Sequence, residues 1–442
     1  LIDPDFTEAK LELASSYFNQ LETGLMTPEE AFSEIIAITD PVLAEDPDNT
    51  VGRAISAFAK AGLKIADGDI DANAELVPEL ERIVAEAPEE LQALILLVRA
   101  YQVQQQDEKS VKLLNEAAKR DPFNPAIHYE LGNVHIILQQ WDEARAALER
   151  SLEIEPAQPN AYTLLAIVDL QEGDGVGYVS QFIKALKVDP RDHELPGLLA
   201  NYLYRLGLVD IADDFRERVL ALAPTSEVAY QIDMLRAVAV GDELASIESA
   251  RRAIEDDIEE RRFSYGGAVQ HLLRSAIRDG NIGEVSAWIE QQAPGIFDIN
   301  ELKSPQKYRM SQIVAFDAWY VSLPREELLE RLDTLLGYAE SVGVDPTQNP
   351  GMHLSILAVR GETEKAIDVA IKEVFSRSVA TNLGWRETFA QPLFQDIVAD
   401  SRIQAAMQRW EEEESQLRRE VEAYFRDMQT ETRTAQNVAS AD

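Results

Sequence analysis

Five prolines, Pro88, Pro122, Pro156, Pro190 and Pro224, stand 34 residues apart along the chain. Each closes a similar run: IVAEAP, AAKRDP, SLEIEP, ALKVDP and LALAP. With 19 prolines in 442 residues, composition alone does not produce such a series. Proline ends a helix because it lacks the N–H and its ring meets the carbonyl one turn back. A helix therefore stops every 34 residues. A fixed period of this length marks an array of stacked repeats, whose neighbours cover one another's apolar faces. The length points the same way, since a single core seldom serves so long a chain.

From 91 to 224 the register is clean. In the unit 125–158 the slots of a helix–turn–helix pattern hold His128, Leu131, Gly132, His135, Ala144, Leu148 and Pro156. The unit from 91 places Leu94, Leu97, Val98, Tyr101, Leu114 and Pro122 in the same slots. The unit from 159 places Tyr162, Leu165, Ala166, Phe182 and Pro190 there, and the unit from 193 Leu199, Ala200, Leu203, Ala212 and Pro224. This pattern resembles the tetratricopeptide repeat (TPR) family. The resemblance implies an all-α, right-handed solenoid or superhelix of αα-hairpins. Small residues such as Gly132, Ala166 and Ala200 would let the first helix of a hairpin approach the second.

The flanks keep the hairpin rhythm and lose the period. Residues 1–47 read as one hairpin, with Gly24 as the break. Thr27-Pro28-Glu29-Glu30 is a capping box that starts the second helix, and a bend is expected at Pro41. Residues 49–88 read as a longer pair turning at Gly68-Asp69. Beyond 224, pairs are expected at 226–240 with 242–257, 262–279 with 282–293, 305–321 with 325–342, and 351–360 with 363–375. Gly241, Gly280 and Gly361 mark turns. A long helix ends the chain, with Ile403, Met407, Trp410, Leu417, Val421 and Tyr424 on one face. It is expected to cap the solenoid. Glu414–Arg418, Arg418–Glu422 and Glu422–Arg426 have the spacing of ion pairs along it, and the polar residues from Thr430 to Asp442 are expected to be mobile. The expected organisation is thus 1–88 divergent hairpins, 89–225 regular TPR units, 226–399 divergent hairpins and 400–442 terminal helix and tail.

A second resemblance lies at the edges. Leu1-Ile2-Asp3-Pro4-Asp5-Phe6 with Ala9, and Pro392, Phe394, Asp400 and Arg402, look like the borders of the TPR tail of bacterial CadC-type transcriptional regulators and adenylate cyclases. This implies a sensory or interaction tail of a regulator. The chain begins at Leu1 rather than Met, so an upstream piece is expected.

Charge and composition exclude several functions. A net charge of -38 and no basic stripe argue against nucleic acid, whose phosphates need clustered Lys and Arg. The same charge argues against an anionic membrane surface, and no apolar run is long enough to span a bilayer. With no cysteine, disulfides and thiolate chemistry are out. Absent thiols favour the periplasm slightly over the cytoplasm. His128 and His135 sit seven apart, but they occupy aromatic packing slots, so no metal site is expected. The glycine-rich Gly173-Asp174-Gly175-Val176-Gly177 follows no strand and reads as an inter-helix turn rather than a phosphate cradle. Glu411 to Glu414 read as a solvated helix face. No cofactor and no catalytic set are expected.

What remains is a concave groove. The TPR resemblance assigns its inner wall to Gln92, Arg99, Gln102, Tyr129, Asn133, Ile136, Asn160, Thr163, Asn201, Tyr204 and Arg205. Asn133 and Asn201 fall at equivalent positions, where one amide offers a donor and an acceptor to an extended peptide. Arg99 and Arg205 are suited to a carboxylate. The expected function is a non-enzymatic interaction module for a peptide or partner protein. Two alternatives stay open: an assembly protein forming homo-oligomers, and a small-molecule sensor with a pocket in the divergent repeats near Phe263, Tyr265, Phe316, Trp319 and Tyr320.

Overall fold

The computed structural model describes residues 6–22, 26–66, 72–260, 266–295, 297–298, 323–341 and 345–439. These residues form helices and turns with no strand among them, so the fold is all-α and built of helical hairpins. They belong to two compact units, Leu1–Val168 and Asp169–Asp442.

The first unit runs α1 (Thr7–Glu22), α2 (Pro28–Glu45), α3 (Thr50–Ala66), α4 (Ala72–Glu86), α5 (Leu91–Val103), α6 (Asp107–Arg120), α7 (Pro125–Ile137), α8 (Trp141–Ile154) and the start of α9 (Pro159–Gln171). The capping box is present: Glu30 N–H donates to Thr27 Oγ1 at 3.3 Å, and Thr27 N–H to Glu30 Oε2 at 3.0 Å. Pro41 lies inside α2, which continues past it to Glu45.

Each ladder proline stands two residues beyond the end of a helix. α4 ends at Glu86 before Pro88, α6 at Arg120 before Pro122 and α8 at Ile154 before Pro156. In the second unit, α10 (Gly175–Val188) and α12 (Val209–Leu222) end the same way before Pro190 and Pro224. The residue between still closes a helical bond, as in Asp121 N–H to Ala117 O at 2.9 Å and Asp189 N–H to Ala185 O at 2.9 Å.

A second ladder with the same 34-residue period lies at the turns inside the hairpins. Gln105, Gln139, Gly173, Gly207 and Gly241 all have positive φ, at 55°, 57°, 86°, 75° and 75°. The next amide in each case reaches back five residues, as in Gln140 N–H to His135 O at 2.8 Å and Leu208 N–H to Leu203 O at 2.9 Å. This left-handed stop satisfies helix-end carbonyls that would otherwise be unpaired. The glycine-rich run at 173–177 is one such turn, as its sequence suggests.

The hairpin seams are apolar. Leu131, Ala144 and Leu148 are buried, and a Cβ on Gly132 would come within 2.5 Å of Leu148 Cγ. Glycine at this slot is what lets α7 approach α8.

The second unit continues with α11 (Glu194–Arg205), α13 (Glu227–Val240), α14 (Glu243–Glu260), α15 (Gly266–Asp279), α16 (Ile282–Gln292), α17 (Arg325–Ser341), α18 (Pro350–Arg360) and α19 (Thr363–Val369). α19 passes into a π turn at Ala370–Val374, closed by Phe375 N–H to Ala370 O at 2.7 Å. Short α20 (Trp385–Phe389) and α21 (Gln395–Val398) lead into the long α22 (Ser401–Ala439). The expected helix 305–321, the breaks at Gly24 and Gly68-Asp69, and the opening residues 1–5 lie outside the described residues.

The terminal helix runs to Ala439 and departs from expectation in two ways. It lies back along earlier hairpins of its unit instead of only closing the end. A Cβ on Gly175 would sit 2.5 Å from Leu417 Cδ1, and the Phe425 ring lies 5.9 Å from that of Phe215 in α12. Finally, Glu414 holds Arg386 and accepts from Trp385 Nε1 at 3.1 Å, so this carboxylate belongs to a tertiary contact rather than to a solvated run. Trp410 is fully buried, 4.4 Å from the Phe375 ring, and donates to Arg377 O at 3.2 Å.

Candidate functional site: two helix walls and an arginine-lined cleft

In the first unit the proposed wall residues lie on α5, α7 and α9. The entry to α7 is fixed by Asn124, whose side chain accepts from Ala126 N–H at 3.1 Å, with Pro125 at the first helical position. Gln92, Arg99, Gln102, Tyr129, Asn133, Ile136 and Thr163 are half-buried, and Asn160 is exposed. Their states differ. Ile136 packs on the cluster of Ala144, Leu148 and Leu165. Thr163 Oγ1 donates to Pro159 O at 3.1 Å, which occupies it within its own helix. Arg99 and Tyr129 are engaged within the protein. Gln102 Nε2 is buried without a hydrogen-bond partner among the described residues. The side chains of Asn133 and Asn160 likewise bond to none of the described residues. His128 and His135 turn to Pro122 O at 3.1 Å and Gln140 Oε1 at 2.6 Å.

In the second unit the equivalent positions are committed to the protein itself. Asn201 Oδ1 accepts from Arg205 Nε at 2.9 Å. Tyr204 is 3% exposed, so it is not an open wall position. Its hydroxyl donates to Asp213 Oδ1 at 2.6 Å, and Arg236 grips the same carboxylate at 2.7 and 3.2 Å. Burial alone would raise the Asp213 carboxyl. The hydrogen bonds from Arg236 and Tyr204 outweigh that and hold it below its ordinary value. Burial, followed by the bond to Asp213, pushes the Tyr204 phenol well above its ordinary range. A phenol buried in a hairpin seam needs a partner for its O–H, and Asp213 draws Tyr204 inward.

Arg205 reaches the other way. A Cβ on Gly384 would lie 2.6 Å from Arg205 Nη1, so the guanidinium rests on the backbone of the segment that precedes α20. It lines a cleft of about 430 Å³ in the second unit, together with Arg274 of α15 and Arg377. Glu373 and Val374 of the π turn form part of the wall, and Trp385, Phe389 and Leu354 give an apolar floor. The first residues of α18 also face the cleft. Asn349 caps that helix by accepting from Met352 N–H at 3.0 Å, which leaves Gly351 N–H without a carbonyl in its own helix.

Arg205 was anticipated from the repeat register; Arg274 and Arg377 were not. They lie outside that register and far apart in the chain, so no local pattern announces that they meet. Gly384-Trp385-Arg386 stands out in the sequence, but nothing there says that the glycine receives Arg205. The aromatics proposed for a pocket, Phe263, Tyr265, Phe316, Trp319 and Tyr320, lie outside the described residues.

Residues 109–168 match the model of the tetratricopeptide repeat family. A curated relative, the Protein CTR9 homolog of Arabidopsis thaliana, is 26% identical over 214 residues, covering 47% of this chain and 19% of the relative. The chain thus spans about a fifth of the length of that relative. Among solved structures, a thermophilic TPR protein of Thermus thermophilus is 20% identical with a TM-score of 0.36, covering 43% of this chain and 94% of its own. A tetratricopeptide repeat protein of Parabacteroides merdae is 16% identical with a TM-score of 0.38, covering 54% and 92%.

Proposed function

We propose that this chain is a non-enzymatic protein–protein interaction module that holds an extended peptide or partner segment along the wall of α5, α7 and α9. The observation that carries the reading is Asn133. Its amide is half-buried at a wall position of the family pattern and bonds to no described residue, so a donor and an acceptor remain for a peptide backbone. Asn160, exposed on the next wall helix, extends the same polar track. The match of residues 109–168 to a repeat family whose members mediate protein contacts supports the reading. The edges at Leu1–Phe6 and Pro392–Arg402 make the tail of a bacterial regulator the proposed setting.

Asn133→Ala and Arg99→Glu are the test. Each is expected to weaken capture of a partner by the purified chain at least tenfold while circular dichroism stays unchanged. Undiminished capture by both folded variants would refute the wall assignment.

A further inference from the structure

We propose that the cleft between α11, α15, α18 and the 373–389 segment is a binding site for a small oxyanion, a carboxylate or phosphate compound. This site is independent of the peptide wall in the first unit.

The argument begins with charge. The chain carries 79 acidic and 41 basic residues, yet three arginines and two glutamates line this cleft. The local balance is therefore the reverse of the whole. Arg274 is already engaged, with Gln270 Oε1 at 3.4 Å and Glu387 Oε2 at 3.9 Å. Glu373 Oε2 lies 3.9 Å from His353 Nδ1. Arg205 and Arg377 have no carboxylate within ion-pair distance among the described residues, although Arg205 donates to Asn201. A guanidinium cannot shed its charge, and its forked donors match the oxygens of a carboxylate or phosphate.

The geometry is that of a pocket rather than a surface patch. A volume of about 430 Å³ falls within the usual span for small ligands, ~300–1,000 Å³. Arg205 and Arg377 are exposed, so a ligand can reach them. The buried Trp385, Phe389 and Leu354 exclude water from one side, which strengthens charge–charge attraction. Asn382 adds an amide, and the positive end of α18 adds a smaller attraction. A π turn in the wall, at Ala370–Val374, suits the assignment, because such turns recur at functional sites. Two of the three arginines come from outside the 34-residue register, so the site belongs to the folded-back C-terminal half rather than to the repeat wall.

The test is calorimetric titration of the full chain with citrate and, separately, with inorganic phosphate, at constant ionic strength held by chloride. Saturable binding of at least one is expected, accompanied by a rise in melting temperature. Arg205→Gln and Arg377→Gln should each weaken it about tenfold, while Arg150→Gln, in the first unit, should leave it unchanged. Gly384→Ala displaces the Arg205 guanidinium without removing it and should weaken binding as well. Citrate binding alone would assign a carboxylate ligand, and phosphate binding alone a phosphorylated one. No saturable binding of either anion at millimolar concentration would overturn the proposal. So would equal affinity in Arg205→Gln, Arg377→Gln and the wild type.

Discussion

The turns inside the hairpins use one backbone conformation in both units and different residues to make it. In the first unit the left-handed position is glutamine, at Gln105 and Gln139, and both are exposed. In the second it is glycine, at Gly173, Gly207 and Gly241. A Cβ on Gly173 would stand 3.0 Å from Ser378 Cβ, and one on Gly207 3.1 Å from Arg418 Nη1. At these two turns the C-terminal segment lies against the backbone. A left-handed turn tolerates glutamine at a cost; a left-handed turn under another segment has no room for a side chain. Gly241 shows the limit of the rule, since nothing lies within 4 Å of its Cβ position, and there the positive φ of 75° is the whole reason.

The contrast teaches that one repeat unit serves two uses. In the first unit the wall retains polar side chains such as Asn133 that bond to no described residue. In the second, the 373–389 segment and α22 occupy the equivalent neighbourhood and build a cleft with it. The anchor of that covering layer is Trp410. Trp410→Ala should cost about 3–5 kcal/mol, the usual toll for emptying a large buried site. Hydrogen exchange should then accelerate over α10–α12 and 375–398 and stay unchanged over α2–α6. Equal acceleration in α2–α6 would break the distinction drawn between the units.

The turns themselves come next in size. Gly207→Gln should cost about 1–3 kcal/mol, combining left-handed strain for a side chain with displacement of Arg418. The reverse exchange, Gln139→Gly, should stabilise by about 0.5–1 kcal/mol, because relief of the strain exceeds the added flexibility of the unfolded chain. Urea denaturation of both variants measures the pair. If Gly207→Gln costs no more than Gly241→Gln, whose Cβ position is open, contact with the C-terminal segment is not what separates the turns.

The hairpins were legible because their signals are local. A proline two residues past each helix, the Thr27–Glu30 capping box and the glycines at 241, 280 and 361 each act within a few residues of themselves. Gln105 and Gln139 were not legible as left-handed positions, because glutamine carries no preference for them and only the period reveals the kinship with Gly173. Glu414 was misread for a related reason. A pairing rule for one helix sees Arg418 four residues on and cannot see Arg386 arriving from another element. Tyr204 was placed on the wall by register, whereas the need of a buried phenol for Asp213 turned it inward. The cleft was the least legible feature, since Arg205, Arg274 and Arg377 meet only after the C-terminal half has folded back.

The histidines extend the contrast and give its smallest test. His128 and His135, in the first unit, keep polar partners at Pro122 O and Gln140 Oε1. His271, in the second, is held by Ser246 Oγ at 2.9 Å beside the covering segment. Burial lowers its pKa below the ordinary value; nearby Glu387 opposes the shift and Arg274 adds to it. Between the lowered folded value and the unfolded value near ~6.5, the unfolded chain binds more protons, so stability rises with pH. The contribution is complete above ~6.5 and is lost as the pH falls from there through the folded value. His271→Gln, which retains an amide for Ser246, should flatten that part of the stability–pH curve. The difference between wild type and variant removes the background of acidic side chains common to both. An identical slope in the two proteins just below pH ~6.5 would show that His271 is not the titrating group, and that the covering segment does not bury it as described.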